Sequence, residues 1–367
     1  MLEAQEAQEA QDKDFLIFEQ YQKTQTADQL IQKLNKYLLK NYLSSPLLDL
    51  TEERFILKDV SGAITFQLDL IPQENEDKLQ EFSIKENYKK PLRGFKIALD
   101  PGHFGGKLAK TEGKYIEFEE EGVKYCFAEG DLTLMTAFFL ERFLKKAGAE
   151  VLMTKKNVGD CAYQDSYKKW KRQNKTLVDK YEKEWSLLNK EFFPLDYAAR
   201  AQKINEFEPD LSIVIHYDVS ANRPEQTTTK NSLMFYIPGS FLAGELSTEE
   251  EQYEFLRLLL TDDILKSHKL AKKITDSFKK SFPAVPLINH AMKNTIFIER
   301  GILARNLALT RMIHGPLVYG ETFYQDNNEI CAELDKKNKC IKWLWGPAKT
   351  KEVAQAYFKG ILNYFLQ

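Results

Sequence analysis

The sequence predicts an α/β protein, a mostly parallel sheet with helices on both faces, preceded by a small α+β unit. Three observations carry this reading. Short apolar runs alternate with longer stretches of helical periodicity, the pattern of strand–helix–strand units. One such unit, residues 95–154, closes within a single crossover, which implies a parallel pair with right-handed connection. Three strand-like runs end at His103, His216 and Glu321, where an open α/β sheet places its ligand crevice.

Taken in order, residues 1–14 (MLEAQEAQEAQDKD) are polar and repetitive and read as a disordered tail. From 26 to 43, Leu30, Ile31, Leu34, Tyr37, Leu38 and Tyr42 recur at helical spacing. Residues 54–58 and 63–70 read as strands turning at Ser61-Gly62. The charged stretch 71–92, with Pro72 and Pro91, reads as a linker, so 15–92 forms the N-terminal unit. The main domain, 93–367, opens with strand 95–100. Helix 130–146 carries Leu132, Met135, Phe139 and Phe143 on one stripe and stops at Gly148. Strand 150–154 follows directly. Residues 155–193, rich in Lys, Trp and Tyr, read as a surface insertion, and 239–265 as a second one. Helix 194–207 leads into strand 211–215, then come strand 232–237, helix 266–282, strand 316–320 and a final helix over 350–365.

Composition excludes several classes. Charges nearly cancel, 52 basic against 54 acidic, and no basic stripe argues for nucleic acid. No apolar run approaches the ~20 residues of a membrane span. The polar N-terminus has no leader-like apolar region, which leaves a cytosolic protein or one whose leader has been removed. Cys126, Cys161, Cys331 and Cys340 form no CxxC pair. Cys331 and Cys340 are near enough in sequence to bridge in an exported protein, and equally consistent with isolated thiols.

The chemistry lies at the strand ends. His103 sits in Asp100-Pro101-Gly102-His103-Phe104-Gly105-Gly106, a turn that reads as a rigid elbow for an imidazole or as a plain glycine-rich loop. Glu129 opens the 130–146 helix, where a carboxylate also suits the helix dipole. His216 ends an apolar strand, a position that a structural histidine can also take. Together they match the His₂Glu ligand set of catalytic zinc, with Asp100 or Asp218 as orienting partners. Glu321 ends a further strand and suits a general base, or a surface acid in a turn. His268 reads as solvated in a polar helix; His290 and His314 have no supporting context.

These pieces resemble the zinc-dependent N-acetylmuramoyl-L-alanine amidases of bacterial cell walls, those with a DPGH-bearing α/β domain. The resemblance covers about 94–365. It rests on the ordered set Lys96-Ile97-Ala98-Leu99-Asp100-Pro101-Gly102-His103, Glu129, Gly148-Ala149-Glu150-Val151-Leu152-Met153-Thr154, Arg200, Asp210-Leu211-Ser212-Ile213-Val214-Ile215-His216, Arg305-Asn306-Leu307 and Pro316-Leu317-Val318-Tyr319-Gly320-Glu321. It implies Zn2+ on His103, Glu129 and His216, Glu321 as catalytic acid/base, peptidoglycan or muropeptides as substrate, and export to the periplasm or cell surface. The chain departs from the family in a longer, acidic segment between His103 and Glu129 and in the two insertions, departures that bear on substrate selectivity. Some relatives cover the zinc with a helix until a regulatory protein removes it, and the acidic stretch around Glu249-Glu250-Glu251, within 241–262, is a candidate for that role or a solvated surface helix. A silent cell-wall-binding protein of the same fold and a zinc peptidase cutting within the stem peptide are the alternatives.

Overall fold

The structure, a computed structural model, describes residues 15–40, 45–72, 90–220, 224–242 and 244–366. The expected tail, 1–14, and most of the expected linker fall outside these. In chain order the strands are β1 (Leu48–Leu50), β2 (Arg54–Lys58), β3 (Ile64–Asp69), β4 (Lys96–Pro101), β5 (Tyr115–Glu120), β6 (Val123–Ala128), β7 (Glu150–Met153), β8 (Leu211–Asp218), β9 (Leu233–Ile237), β10 (Ile296–Glu299), β11 (Ile302–Ala304), β12 (Leu317–Tyr324), β13 (Lys339–Ile341) and β14 (Leu344–Gly346).

The central sheet has the order β10-β11-β9-β12-β8-β4-β7. Strands β12, β8, β4 and β7 are mutually parallel. Strand β9 runs against β12, and β10 against β11, so the sheet is mixed at one side. Alternation along β8 divides the two faces: Leu211, Ile213, Ile215 and Tyr217 enter the larger apolar core, while Val214 faces the smaller one. The larger core is roofed by the helices Glu129–Lys146, Asp263–Ser281 and Lys349–Phe365. The smaller is covered by Phe193–Phe207 and Ala308–Met312, which leave the far end of that face to the site. Helices thus lie on both faces, as the strand–helix alternation requires.

The N-terminal residues form a three-stranded antiparallel sheet, β1-β2-β3, and a helix, Ala27–Lys33, opened by a Thr26/Gln29 capping box. Phe18, Leu30, Leu34, Phe55 and Phe66 belong to the same apolar core as the main sheet. Lys33 Nζ donates to the carbonyls of Leu259 and Thr261, both at 2.9 Å, and Thr65 Oγ1 donates to Gln252 Oε1 at 2.7 Å.

Those contacts correct one expectation. The Glu249–Leu260 helix does not cover the metal-ligand candidates. Its Phe255, Leu256, Leu258, Leu259 and Leu260 are buried in the shared core. Arg257 Nη2 donates to the Arg311 carbonyl at 2.8 Å, just ahead of β12 and at the end opposite Glu321. Glu251 is spent on the capping box with Thr248. Segment 155–193 is likewise more than surface: Tyr167, Trp170, Leu187, Leu188 and Phe192 bury themselves around Phe104, the neighbour of His103. Among the described residues no helix is long and apolar enough to cross a membrane. All four cysteines are free thiols, and burial pushes that of Cys331 up to about 12.

A core shared by the small sheet and the large one should unfold as one unit. Calorimetry should give a single transition, and two would separate the units. Phe255→Ala, which empties a fully buried site packed on Phe241, should cost about 3–5 kcal/mol in denaturant titration.

Candidate functional site

Strand β4 ends in an elbow that glycine makes possible. The Gly102 amide donates to the Ile215 carbonyl at 2.9 Å, so the loop stays laced to β8. The Gly102 carbonyl accepts from Thr133 Oγ1 at 2.6 Å and Lys155 Nζ at 3.0 Å. A Cβ on Gly102 would lie 2.1 Å from His216 Cε1, so any side chain there would occupy the imidazole's place. His103 itself takes a left-handed backbone, φ 56°, uncommon for a residue other than glycine and typical of strain held at functional positions. The following loop packs backbone to backbone on the start of the Glu129–Lys146 helix: a Cβ on Gly130 would lie 2.2 Å from the Gly105 nitrogen. Asp131 Oδ1 then accepts from the Gly106 amide at 2.9 Å.

These contacts bring three residues together. The ligand atoms of His103, Glu129 and His216 all lie within 4.8 Å of one another, a group able to hold a metal ion. Glu129 Oε1 is the hub, 3.3 Å from His103 Nε2 and 3.1 Å from His216 Nδ1, and it accepts the Tyr217 amide at 3.0 Å. The other His103 nitrogen, Nδ1, meets Glu112 Oε1 at 2.6 Å, while Glu112 Oε2 accepts the Phe104 amide at 3.1 Å. His216 stacks on Tyr319, with ring centroids 4.5 Å apart and planes at 8°.

Charge sorts these groups. Burial, reinforced by the charge of His103, pushes His216 down to about 3, leaving it neutral. Burial also opposes a charged His103, but the carboxylates of Glu129 and Glu112 outweigh it and hold this imidazole above its ordinary value. Glu129 is held well below the usual carboxylate range, against burial, by His103 and Lys114, whose Nζ lies 3.9 Å from Glu129 Oε2. Glu321 goes the other way: burial, then the like charges of Asp218 and Glu129, raise it well above the ordinary range. Asp218 is raised to about 6, chiefly by burial.

Glu321 pairs in register with His216 across β12 and β8, so it stands level with the cluster. Asp100 does not orient a ligand; its carboxylate takes Thr154 Oγ1 and faces Arg200 Nη1 at 3.5 Å beneath the elbow. Asp218 reaches none of the three ligand candidates by a hydrogen bond; its Oδ1 accepts the Val219 amide. The orienting partner is Glu112, which the sequence reading missed. Its signal was local, an acid in a short helix (Leu108–Glu112) nine residues after His103. Lys114 was missed as well, in the segment read only as acidic. His268 is not solvated; it bridges Tyr37 Oη at 2.9 Å and Glu299 Oε1 at 2.8 Å. His290 and His314 stay outside the cluster, bonded to Asn289 and Glu254.

Gly102→Ala should therefore push the His216 ring off the cluster. We expect a folded protein with metal affinity reduced at least tenfold, read by competition with a chromophoric chelator; unchanged affinity would show that the close approach does not hold the ligand.

Against known proteins, residues 97–363 match the family described as N-acetylmuramoyl-L-alanine amidase. A germination-specific N-acetylmuramoyl-L-alanine amidase from Bacillus subtilis (strain 168) is 24% identical over 290 residues, 78% of this chain and 88% of that one. Among solved structures, the CwlD amidase of Clostridioides difficile in complex with the GerS lipoprotein aligns with TM-score 0.45 and 16% identity, over 74% of this chain and 98% of that chain. Ami1 of Mycobacterium smegmatis, an N-acetylmuramyl-L-alanine amidase, aligns with TM-score 0.46 and 16% identity, over 75% of this chain and 98% of that chain. With nearly three quarters of its length matched by the family, this chain belongs to the N-acetylmuramoyl-L-alanine amidases.

Proposed function

We propose that the protein hydrolyses the amide between N-acetylmuramic acid and the L-alanine of the peptidoglycan stem peptide, using zinc held by His103, Glu129 and His216 and Glu321 as proton carrier. The observation that carries this reading is the convergence of those three side chains, from three separate elements, within 4.8 Å. Two imidazoles and one carboxylate are the donor set of catalytic zinc sites, which keep a further position open. The Glu112 carboxylate on His103 Nδ1 supplies the orienting contact that zinc-binding histidines require and leaves Nε2 facing the cluster. When bound, zinc polarises a carbonyl and lowers the pKa of water to roughly 7.

The chain's own groups supply the rest. Glu321, raised well above the ordinary carboxylate range by burial and by Asp218, takes a proton from the attacking water and delivers it to the departing L-alanine nitrogen. Lys114, beside Glu129, offsets the negative charge of Glu129 and Glu321. Tyr319 braces the His216 ring from below. Because the substrate lies outside the cytoplasmic membrane, the protein acts in the periplasm or at the cell surface.

Mass spectrometry of a defined muramoyl-peptide incubated with the zinc-loaded protein tests this. Free stem peptide with a new L-alanine amine, absent after chelation, is the expected outcome; cleavage inside the stem would make the protein a peptidase, and intact substrate a binder. Glu321→Gln should retain zinc by elemental analysis and lose at least a hundredfold in kcat, the usual scale of general acid–base catalysis; near-normal turnover would remove Glu321 from the role. Metal uptake should also be coupled to protons. His103 is the imidazole held above its ordinary value and His216 is already neutral, so binding must displace about one proton from His103. Affinity should rise with pH through the His103 range and level off above it, and calorimetry in buffers of different ionisation enthalpy should count the proton.

A further inference from the structure

Beyond the cluster, the less covered face of the sheet carries a row of aromatic rings that ends in a cation. His216 stacks on Tyr319 at 4.5 Å, and Tyr319 meets Tyr236 of β9 edge-on at 6.1 Å. The Arg305 guanidinium then lies 5.1 Å from the Tyr236 ring centroid. Cross-strand register makes this row, because Tyr319 of β12 is the direct partner of Tyr236. Tyr236 is buried, its hydroxyl donating to Met234 Sδ at 3.3 Å, while Tyr319 and Arg305 are only partly buried. The row joins the cluster at one end to a positive charge at the other, with Tyr319 and Arg305 its accessible members.

Arg305 differs from the two buried guanidiniums. Arg200 is matched to Asp196 and Asp100, and Arg257 to Glu254 and Asp263. Arg305 has no carboxylate within ion-pair distance among the described residues; its neighbours are an aromatic face and a phenol. Its position is nonetheless fixed. Its amide donates to the Ile237 carbonyl at 3.1 Å, and its carbonyl accepts from Thr310 Oγ1 at 2.7 Å. Its charge reaches the site, where it opposes the upward push on Glu321 and Tyr319. A planar cation stacked on an aromatic ring, with donors unclaimed by any acid, is a receptor for a carboxylate.

We infer that Arg305 and the Tyr319–Tyr236 row form a specificity subsite that takes a free carboxylate of the stem peptide, beyond the scissile bond. This rests on the amidase reading above. An extended peptide advances about 3.3–3.6 Å per residue, so a chain leaving the cluster along this row would bring a stem residue beyond the L-alanine toward Arg305. Stem peptides carry free carboxylates beyond the L-alanine, on the isoglutamyl and diamino-acid residues and at the C-terminus.

The test compares kcat/KM for a muramoyl-L-alanyl-D-isoglutamyl-diaminopimelate substrate with versions in which one carboxylate is amidated at a time. In the zinc-loaded wild type, amidating the carboxylate that meets Arg305 should lower kcat/KM about tenfold to a hundredfold, mostly through KM. In Arg305→Gln that ratio should collapse toward one, and Arg305→Lys should restore part of it. Zinc content and melting temperature report whether each variant is intact. A wild type indifferent to every amidation, or a ratio that survives in Arg305→Gln, overturns the subsite. Either result leaves the amidase reading standing, whereas a wild type that releases no L-alanine amine from any of these substrates overturns both.

Discussion

The site depends on a contact in which one partner has no side chain. The His216 ring occupies the space where a Cβ of Gly102 would be, and Gly102 is laced to β8 by its own amide. Two neighbouring parallel strands, β4 and β8, can thus deliver their terminal imidazoles to one point, with ring centroids 4.6 Å apart. Everything downstream of that approach is accommodation. His103 accepts a left-handed backbone, Gly105 and Gly130 let the loop and helix touch backbone to backbone, and Thr133 and Lys155 satisfy the carbonyl that the elbow exposes. Strain of this kind persists only where surrounding contacts over-determine it.

The second constraint is electrostatic. Glu129, Glu112, Glu321 and Asp218 concentrate acidity in a buried space, and burial alone would protonate them all. The structure separates them by neighbour. Those facing His103 and Lys114 stay ionised and hold or orient the ligand set; Glu321 and Asp218, facing other carboxylates, are pushed up. The same residue type is therefore a fixed charge on one side of the cluster and, in the proposed reaction, the proton carrier on the other.

Much of this was legible in the sequence, and the illegible parts have physical reasons. The alternation of apolar strands and amphipathic helices is a local signal, so the parallel sheet and the helices on both faces could be read from it. His103, Glu129 and His216 were legible because each ends or begins a regular element, which fixes where it must lie. Glu112 and Lys114 were not: they flank the turn into the β5–β6 hairpin, whose exposed acids Glu117, Glu119 and Glu121 mask its alternation and make it look like a charged loop. The Glu249–Leu260 helix misled for the opposite reason. Its three leading acids dominate the sequence, yet they occupy one turn at a helix start, where charge is favoured and Glu251 closes a capping box. The buried stripe behind them, Phe255 to Leu260, decides where the helix goes, and its destination is a core built partly by residues some two hundred positions away.

That destination bears on how the face of the sheet is used. The N-terminal sheet and the Glu249–Leu260 helix close the larger core from the side, adding bulk where the protein does no chemistry. On the other face, helix Phe193–Phe207 covers β4 and β8 only over their lower halves, packing on Ala98 and Val214. Among the described residues no equivalent helix extends over β9 and the upper part of β12; there Tyr236 is buried with Met234, Ile288 and Leu303, and Tyr319 packs on that cluster. Buried aromatic area is normally among the strongest sources of core stability, so leaving Tyr319 incompletely buried forgoes some stabilisation. A ring that braces His216 while keeping part of its edge exposed reconciles packing with access to the cluster. One face is packed to fix His216, another side packs on Tyr236, and the part left exposed lies beside the same histidine.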